Sequence, residues 1–103
     1  MKIFPLALGA AVWALSGAAQ AGPDEAMTKA GCMACHTKDK KLVGPGFKEV
    51  AAKYKGQDMT AKLMEKVRKG GSGSFGPVPM PPNAPDKISD ADLKAVVEAI
   101  LQS

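Results

Sequence analysis

The chain has 103 residues, 14 basic and 10 acidic, a formal net charge of +4, and only 5% aromatic side chains. That length allows one small domain, which buries too little surface to be stable on packing alone and needs a disulfide, a metal or a cofactor to hold it. The basic residues are mixed with acids and lack aromatic neighbours to stack on bases, which excludes nucleic-acid binding and suits docking to an acidic protein face.

The N-terminus reads as a processing signal. Lys2 gives a short charged start, residues 3–19 carry no charge and are rich in Leu and Ala, and Ala19-Gln20-Ala21 is a small-residue exit. This order predicts a secretory signal over residues 1–21, cleaved after Ala21. The apolar run is short for a bilayer span and no basic stop-transfer cluster follows it, so no membrane association is expected once it is removed. The expected product, residues 22–103, is a single domain exported to the periplasm. Loss of Lys2 leaves it 13 basic residues against 10 acidic.

Four helices are predicted in residues 22–103. Pro23 with Asp24 and Glu25 starts the first, because proline suits a first turn and acids favour the positive end of the helix dipole; Gly31 ends it. Leu42-Val43-Gly44-Pro45-Gly46 is a loop. Phe47, Val50, Ala51 and Tyr54 fall at helical spacing, and Gly56 stops that stretch. Asp58 is placed to cap a third helix that runs through Leu63, Met64 and Val67 to Lys69, before Gly70-Gly71. Residues 72–85 hold five prolines and cannot form a regular helix or a central strand. Ser89-Asp90-Ala91-Asp92 resembles a capping box, and Leu93, Val96, Val97, Ile100 and Leu101 make the apolar stripe of a last helix. The expectation is an all-α domain with one long proline-rich loop, and loops of that length in small domains are usually functional.

Cys32-Met33-Ala34-Cys35-His36 carries the chemistry. Two thiols spaced by two residues can add to the two vinyl groups of one haem, and the following imidazole can bind its iron; the string reads as c-type haem attachment. A dithiol redox motif would sit near a β-α-β pattern, which is missing. Zinc would need a fourth ligand. A Cys32–Cys35 disulfide would close too small a loop to add much stability, and would leave the histidine unexplained. His36 is the only histidine in the chain. Committed to iron, it leaves none for acid–base catalysis, so no enzyme activity is expected.

A second axial ligand has to come from another residue type. Methionines at 27, 59 and 64 lie in or beside predicted helices and suit core filling. Met33 is trapped within the attachment loop. Met80 stands in Gly76-Pro77-Val78-Pro79-Met80-Pro81-Pro82, where flanking prolines stiffen the backbone and lower the entropy cost of holding a thioether on iron. A histidine–methionine pair raises the reduction potential and fills both axial positions.

Cys32 to His36, Val43-Gly44-Pro45 and residues 70–83, with the string Pro-Met-Pro-Pro-Asn, resemble the small bacterial monohaem cytochromes c551/c552. The resemblance covers residues 22–103. It implies a class I cytochrome c fold of about four short helices around one haem, with an exposed haem edge. It also implies that the Pro45 carbonyl accepts a hydrogen bond from the His36 ring, that Asn83 lies near the Met80 sulfur, and that Lys66 sits near an inner haem propionate. Read without the resemblance, Pro45 is equally a loop former, while Asn83 reads rather as a turn residue and Lys66 as a solvated charge. One position departs from the family: Phe75 stands where a tryptophan usually donates its indole N–H to a propionate, so the propionate here needs another partner or more water.

The implied function is outer-sphere electron transfer by a monomer. The resemblance gives a quinol-oxidising complex as donor, and nitrite reductase, cytochrome peroxidase or terminal oxidase as acceptor. Phe47, Val50, Leu63, Val67, Val78, Val97 and Ile100 are expected to line the pocket, and Lys38, Lys40 and Lys41 to steer acidic partners. Two other readings remain: a haem sensor in which Met80 gives way to a small ligand, and a dithiol metal carrier using Cys32, Cys35 and nearby methionines.

Overall fold

A computed structural model describes residues 22–103, so the signal predicted over 1–21 lies outside the described residues. Four helices follow in order: α1 Pro23–Ala30, α2 Phe47–Lys53, α3 Thr60–Lys69 and α4 Asp90–Leu101. A single 3₁₀ turn, Cys32–Ala34, follows α1. No strand occurs among the described residues, only one antiparallel bridge between Gly71 and Met80. None of these helices is long and apolar enough to cross a membrane.

Helix ends follow local chemistry, with one correction. Gly31 closes α1 in the left-handed region at φ 83°, as a C-terminal glycine should. Ser89 caps α4 by accepting a hydrogen bond from the Asp92 amide at 3.1 Å. Asp58 does not cap α3. The helix begins one residue later, at Thr60, so its N-cap is Met59, whose backbone is not extended and whose side chain caps nothing. Asp58 therefore stands too far ahead of the free amides to reach them.

The central element is α4, against which α1, α2 and α3 each pack. Leu93, Val96 and Val97 on its inner face are all but inaccessible and meet Ala26 and Met27 of α1 and Phe47 of α2. Each such side chain contributes about 1.5–3 kcal/mol by leaving water. Only nine hydrophobic residues are buried among those described, so the packed core is thin. Beside it, on the α3 side, lies a cleft.

Candidate haem site

The cleft has about 1230 Å³ of empty space, including the solvent at its mouth. Phe47, Val50, Leu63, Val67, Val97 and Ile100 form its apolar walls, and Val78 lines it at the rim, 58% exposed. The pocket residues expected from the sequence are thus all present, Val78 at the edge.

Cys32 and Cys35 face this cleft as half-buried, unbridged thiols. Burial pushes the Cys32 thiol above its usual range, with a backbone hydrogen bond opposing. The 3₁₀ turn brings the Cys35 and His36 amides back onto the Cys32 carbonyl at 3.2 and 3.1 Å. One tight turn therefore presents both thiols and the imidazole to the same space.

The imidazole is fixed from two sides. His36 Nδ1 lies 2.8 Å from the Pro45 carbonyl oxygen, and its ring stacks on Phe47 with centroids 5.4 Å apart. A carbonyl can only accept, so Nδ1 carries the proton and, in the neutral ring, Nε2 keeps its lone pair free for a metal. The loop from His36 to Gly46 is folded tightly to achieve this. The Gly44 amide donates to Cys35 O at 2.7 Å, and the first amides of α2, Phe47 and Lys48, donate to Thr37 O and Lys38 O, each at 3.0 Å.

Met80 reaches the cleft from the proline-rich loop. Its amide and carbonyl pair with those of Gly71, both at 2.9 Å, which makes residues 71–80 a small hairpin. Lys66 also lines the cleft, half-buried, its ammonium packed beside Gly71. Phe75 lines it from the hairpin tip and meets the Tyr54 ring edge-on, centroids 6.1 Å apart. Asn83 is buried at the cleft wall, but both its amide protons go to backbone carbonyls, Val67 O at 3.2 Å and Pro81 O at 3.1 Å. Its described partners fasten the loop to α3; the Met80 sulfur is not among them.

Sequence reasoning missed Tyr54 as a lining residue, and the crowding at Gly44, whose missing side chain makes room for the His36 ring. The sequence signal for Tyr54 was its place at the end of the α2 apolar stripe. Gly44 showed only as a loop glycine. Among the described residues no three His, Cys, Asp or Glu side chains gather to hold a metal by themselves.

Comparison with known proteins decides the family. The model of the family described as Cytochrome c matches residues 19–103. The chain belongs to the cytochrome c family. It is 52% identical to cytochrome c2 of Rubrivivax gelatinosus over 81% of this chain and 99% of that protein. The crystal structure of Nitrosomonas europaea cytochrome c552 superposes with a TM-score of 0.71 at 42% identity, covering 77% of this chain and 96% of the other. A class 1 cytochrome from Sideroxydans lithotrophicus gives 0.67 at 31% identity, over 78% and 90% of the two chains. The protein is an all-α class I cytochrome c, a monohaem electron carrier with one covalent haem c. The cleft fits that group: an apolar slot, a thiol pair and an imidazole with a free Nε2 on one wall, and a thioether on the hairpin.

Proposed function

We propose that residues 22–103, released by cleavage after Ala21, work in the periplasm as a monomeric one-electron carrier with no catalytic activity of its own. Cys32 and Cys35 tether the haem, and His36 and Met80 are its axial ligands. The observation that carries this reading is the 2.8 Å contact between His36 Nδ1 and the Pro45 oxygen. It sets the tautomer and turns Nε2 into a ligand in a cleft that Met80 also lines.

When bound, the haem supplies a ferric/ferrous couple. The protein's own residues do the rest. Pro45 fixes the imidazole plane and raises its basicity. The prolines around Met80 hold the thioether, whose ligation raises the potential. Lys66 offers a positive charge to a propionate, a contact that Phe75 cannot supply. The apolar walls exclude water, so neither oxidation state requires large rearrangement. Met33, Leu42, Val43 and Val78 are large apolar side chains left at least 37% exposed. Val43 and Val78 also line the cleft, which suits a small apolar docking patch beside the cofactor. The donor is a quinol-oxidising complex, and the acceptor a nitrite reductase, cytochrome peroxidase or terminal oxidase.

The test is an absorption spectrum of the purified protein, oxidised and reduced. Sharp reduced α and β bands with a weak far-red band in the oxidised form are expected. Met80→Ala should abolish the far-red band and leave the covalent haem in place. A far-red band that survives in Met80→Ala excludes this ligand, and a chain without a Soret band after expression with the haem-attachment machinery removes the whole reading. Mass spectrometry of the periplasmic fraction should give a mature N-terminus at Gly22; recovery with the signal still attached would argue against the processing.

A further inference from the structure

The hairpin that carries Met80 is weakly built. Gly71, Gly73 and Gly76 adopt φ of 118°, 109° and 109°, values open chiefly to glycine. Besides the Gly71–Met80 pair, its one internal backbone bond runs from the Gly73 amide to Gly76 O at 2.9 Å. Ser74, Gly76 and Val78 are exposed. Left to itself, such a loop would open and shut easily.

Its tip is nevertheless held, by the last turn of α2. Lys53 donates from Nζ to the Ser74 carbonyl. The same ammonium lies 4.4 Å from the centroid of the Phe75 ring and 5.6 Å from that of Tyr54, while Phe75 and Tyr54 meet edge to face. Two adjacent residues of the tip are therefore gripped by the last residue of α2, Lys53, and the residue that caps its C-terminus, Tyr54. That helix is a firm base, because Phe47, Val50 and Ala51 bury its inner face. Its other end stacks Phe47 on His36. Seven residues of helix span about 10 Å, so α2 is a strut with one proposed axial residue at its start and the loop of the other fastened at its end.

We propose that Lys53 is a positioning residue: it latches the hairpin tip onto α2 and thereby keeps Met80 seated on the iron. The proposal rests on the reading of Met80 as an axial ligand. The contact suits a lysine, whose ammonium can serve a carbonyl and two ring faces together at the end of a flexible stem. Lys53 is exposed and outside the core, so its replacement spares the fold.

The experiment measures binding of imidazole, which competes with Met80, to the oxidised holoprotein. Unlatching raises the fraction of time that Met80 is off the iron, so imidazole should bind about fivefold more tightly to Lys53→Met, the factor given by roughly 1 kcal/mol of lost restraint. The far-red band should fade at lower temperature in that variant while the guanidinium unfolding midpoint stays close to that of the parent. Lys53→Arg, which keeps the charge and donors, should restore the parent affinity. Lys94→Met removes an equal charge from exposed α4 surface and should change nothing. Unaltered imidazole affinity in Lys53→Met, or an equal gain in Lys94→Met, overturns the latch. If Met80→Ala keeps the far-red band, the ligand reading falls instead. Amide exchange at residues 73–76 then decides the latch alone: acceleration in Lys53→Met supports it, and parent-like protection refutes it.

Discussion

At the residue scale the site depends on an absence. A Cβ built on Gly44 would fall onto His36 Cε1, and would lie 2.9 Å from Nδ1 and 3.0 Å from Nε2. No rotamer relieves this, because a Cβ does not rotate and the ring is held between Pro45 O and Phe47. Gly44→Ala should therefore push the imidazole off its carbonyl partner. The expected cost is about 1–3 kcal/mol of stability, the usual range for overpacking, read as a lower guanidinium midpoint, together with a shifted Nδ1–H resonance. A variant with both unchanged would show that the loop yields instead. The neighbouring residues explain what the sequence could disclose. Cys32, Cys35 and His36 are legible because their chemistry needs a fixed local spacing. Gly44 was not, because its reason lies in a ring eight residues earlier that only the folded loop brings against it.

At the element scale the segment leaving Met80 is fastened from α3. Arg68 donates from Nη1 to Ile88 O at 2.7 Å and to Asn83 O at 3.3 Å, and from Nη2 to the Asp90 carboxylate at 2.6 Å. The carbonyl contacts matter more than the ion pair. Asp90 is 86% exposed, so water and salt screen that pair to about 0–1 kcal/mol. The bonds to carbonyls come from a side chain only 18% exposed, where charged donors are worth roughly 1.5–3 kcal/mol. Arg68→Leu is expected to destabilise the protein by about 2 kcal/mol and Asp90→Asn by less than about 1 kcal/mol, measured by guanidinium titration; equal losses would make the ion pair the principal contact. Here the sequence falls short for a plain reason. Arg68 reads as a last-turn cation suited to the helix dipole, and its true partners are 15 to 22 residues ahead. The helices themselves were legible, since proline, glycine and serine at their ends act locally. Asp58 misled because caps depend on one residue of register, and Met59 took the position.

At the scale of the whole molecule, charge decides how partners approach. Lys38, Lys40 and Lys41 stand on the loop that also exposes Leu42, 54% accessible, and Val43, 50% accessible. An apolar patch beside lysines can be steered electrostatically and then docked by desolvation, with the charges setting the encounter rate more than the final affinity. The three lysines are not equivalent. Lys38 lies 3.3 Å from the Asp24 carboxylate, so part of its field is cancelled. Lys40 and Lys41 form no ion pair among the described residues. The Lys40 backbone is also fixed, its amide and carbonyl both bonded to the Thr37 hydroxyl. Electron transfer to an acidic redox partner should therefore slow roughly threefold as ionic strength rises from about 0.01 to 0.15 M, where the Debye length falls from about 30 to 8 Å. Lys40→Gln and Lys41→Gln should each flatten that salt dependence more than Lys38→Gln, by stopped-flow rates across a salt series. If Lys38→Gln has the largest effect, Asp24 does not mask it and the approach runs along α1. If no lysine alters the slope, the partner docks through the apolar rim alone, and the basic residues are merely solvated surface.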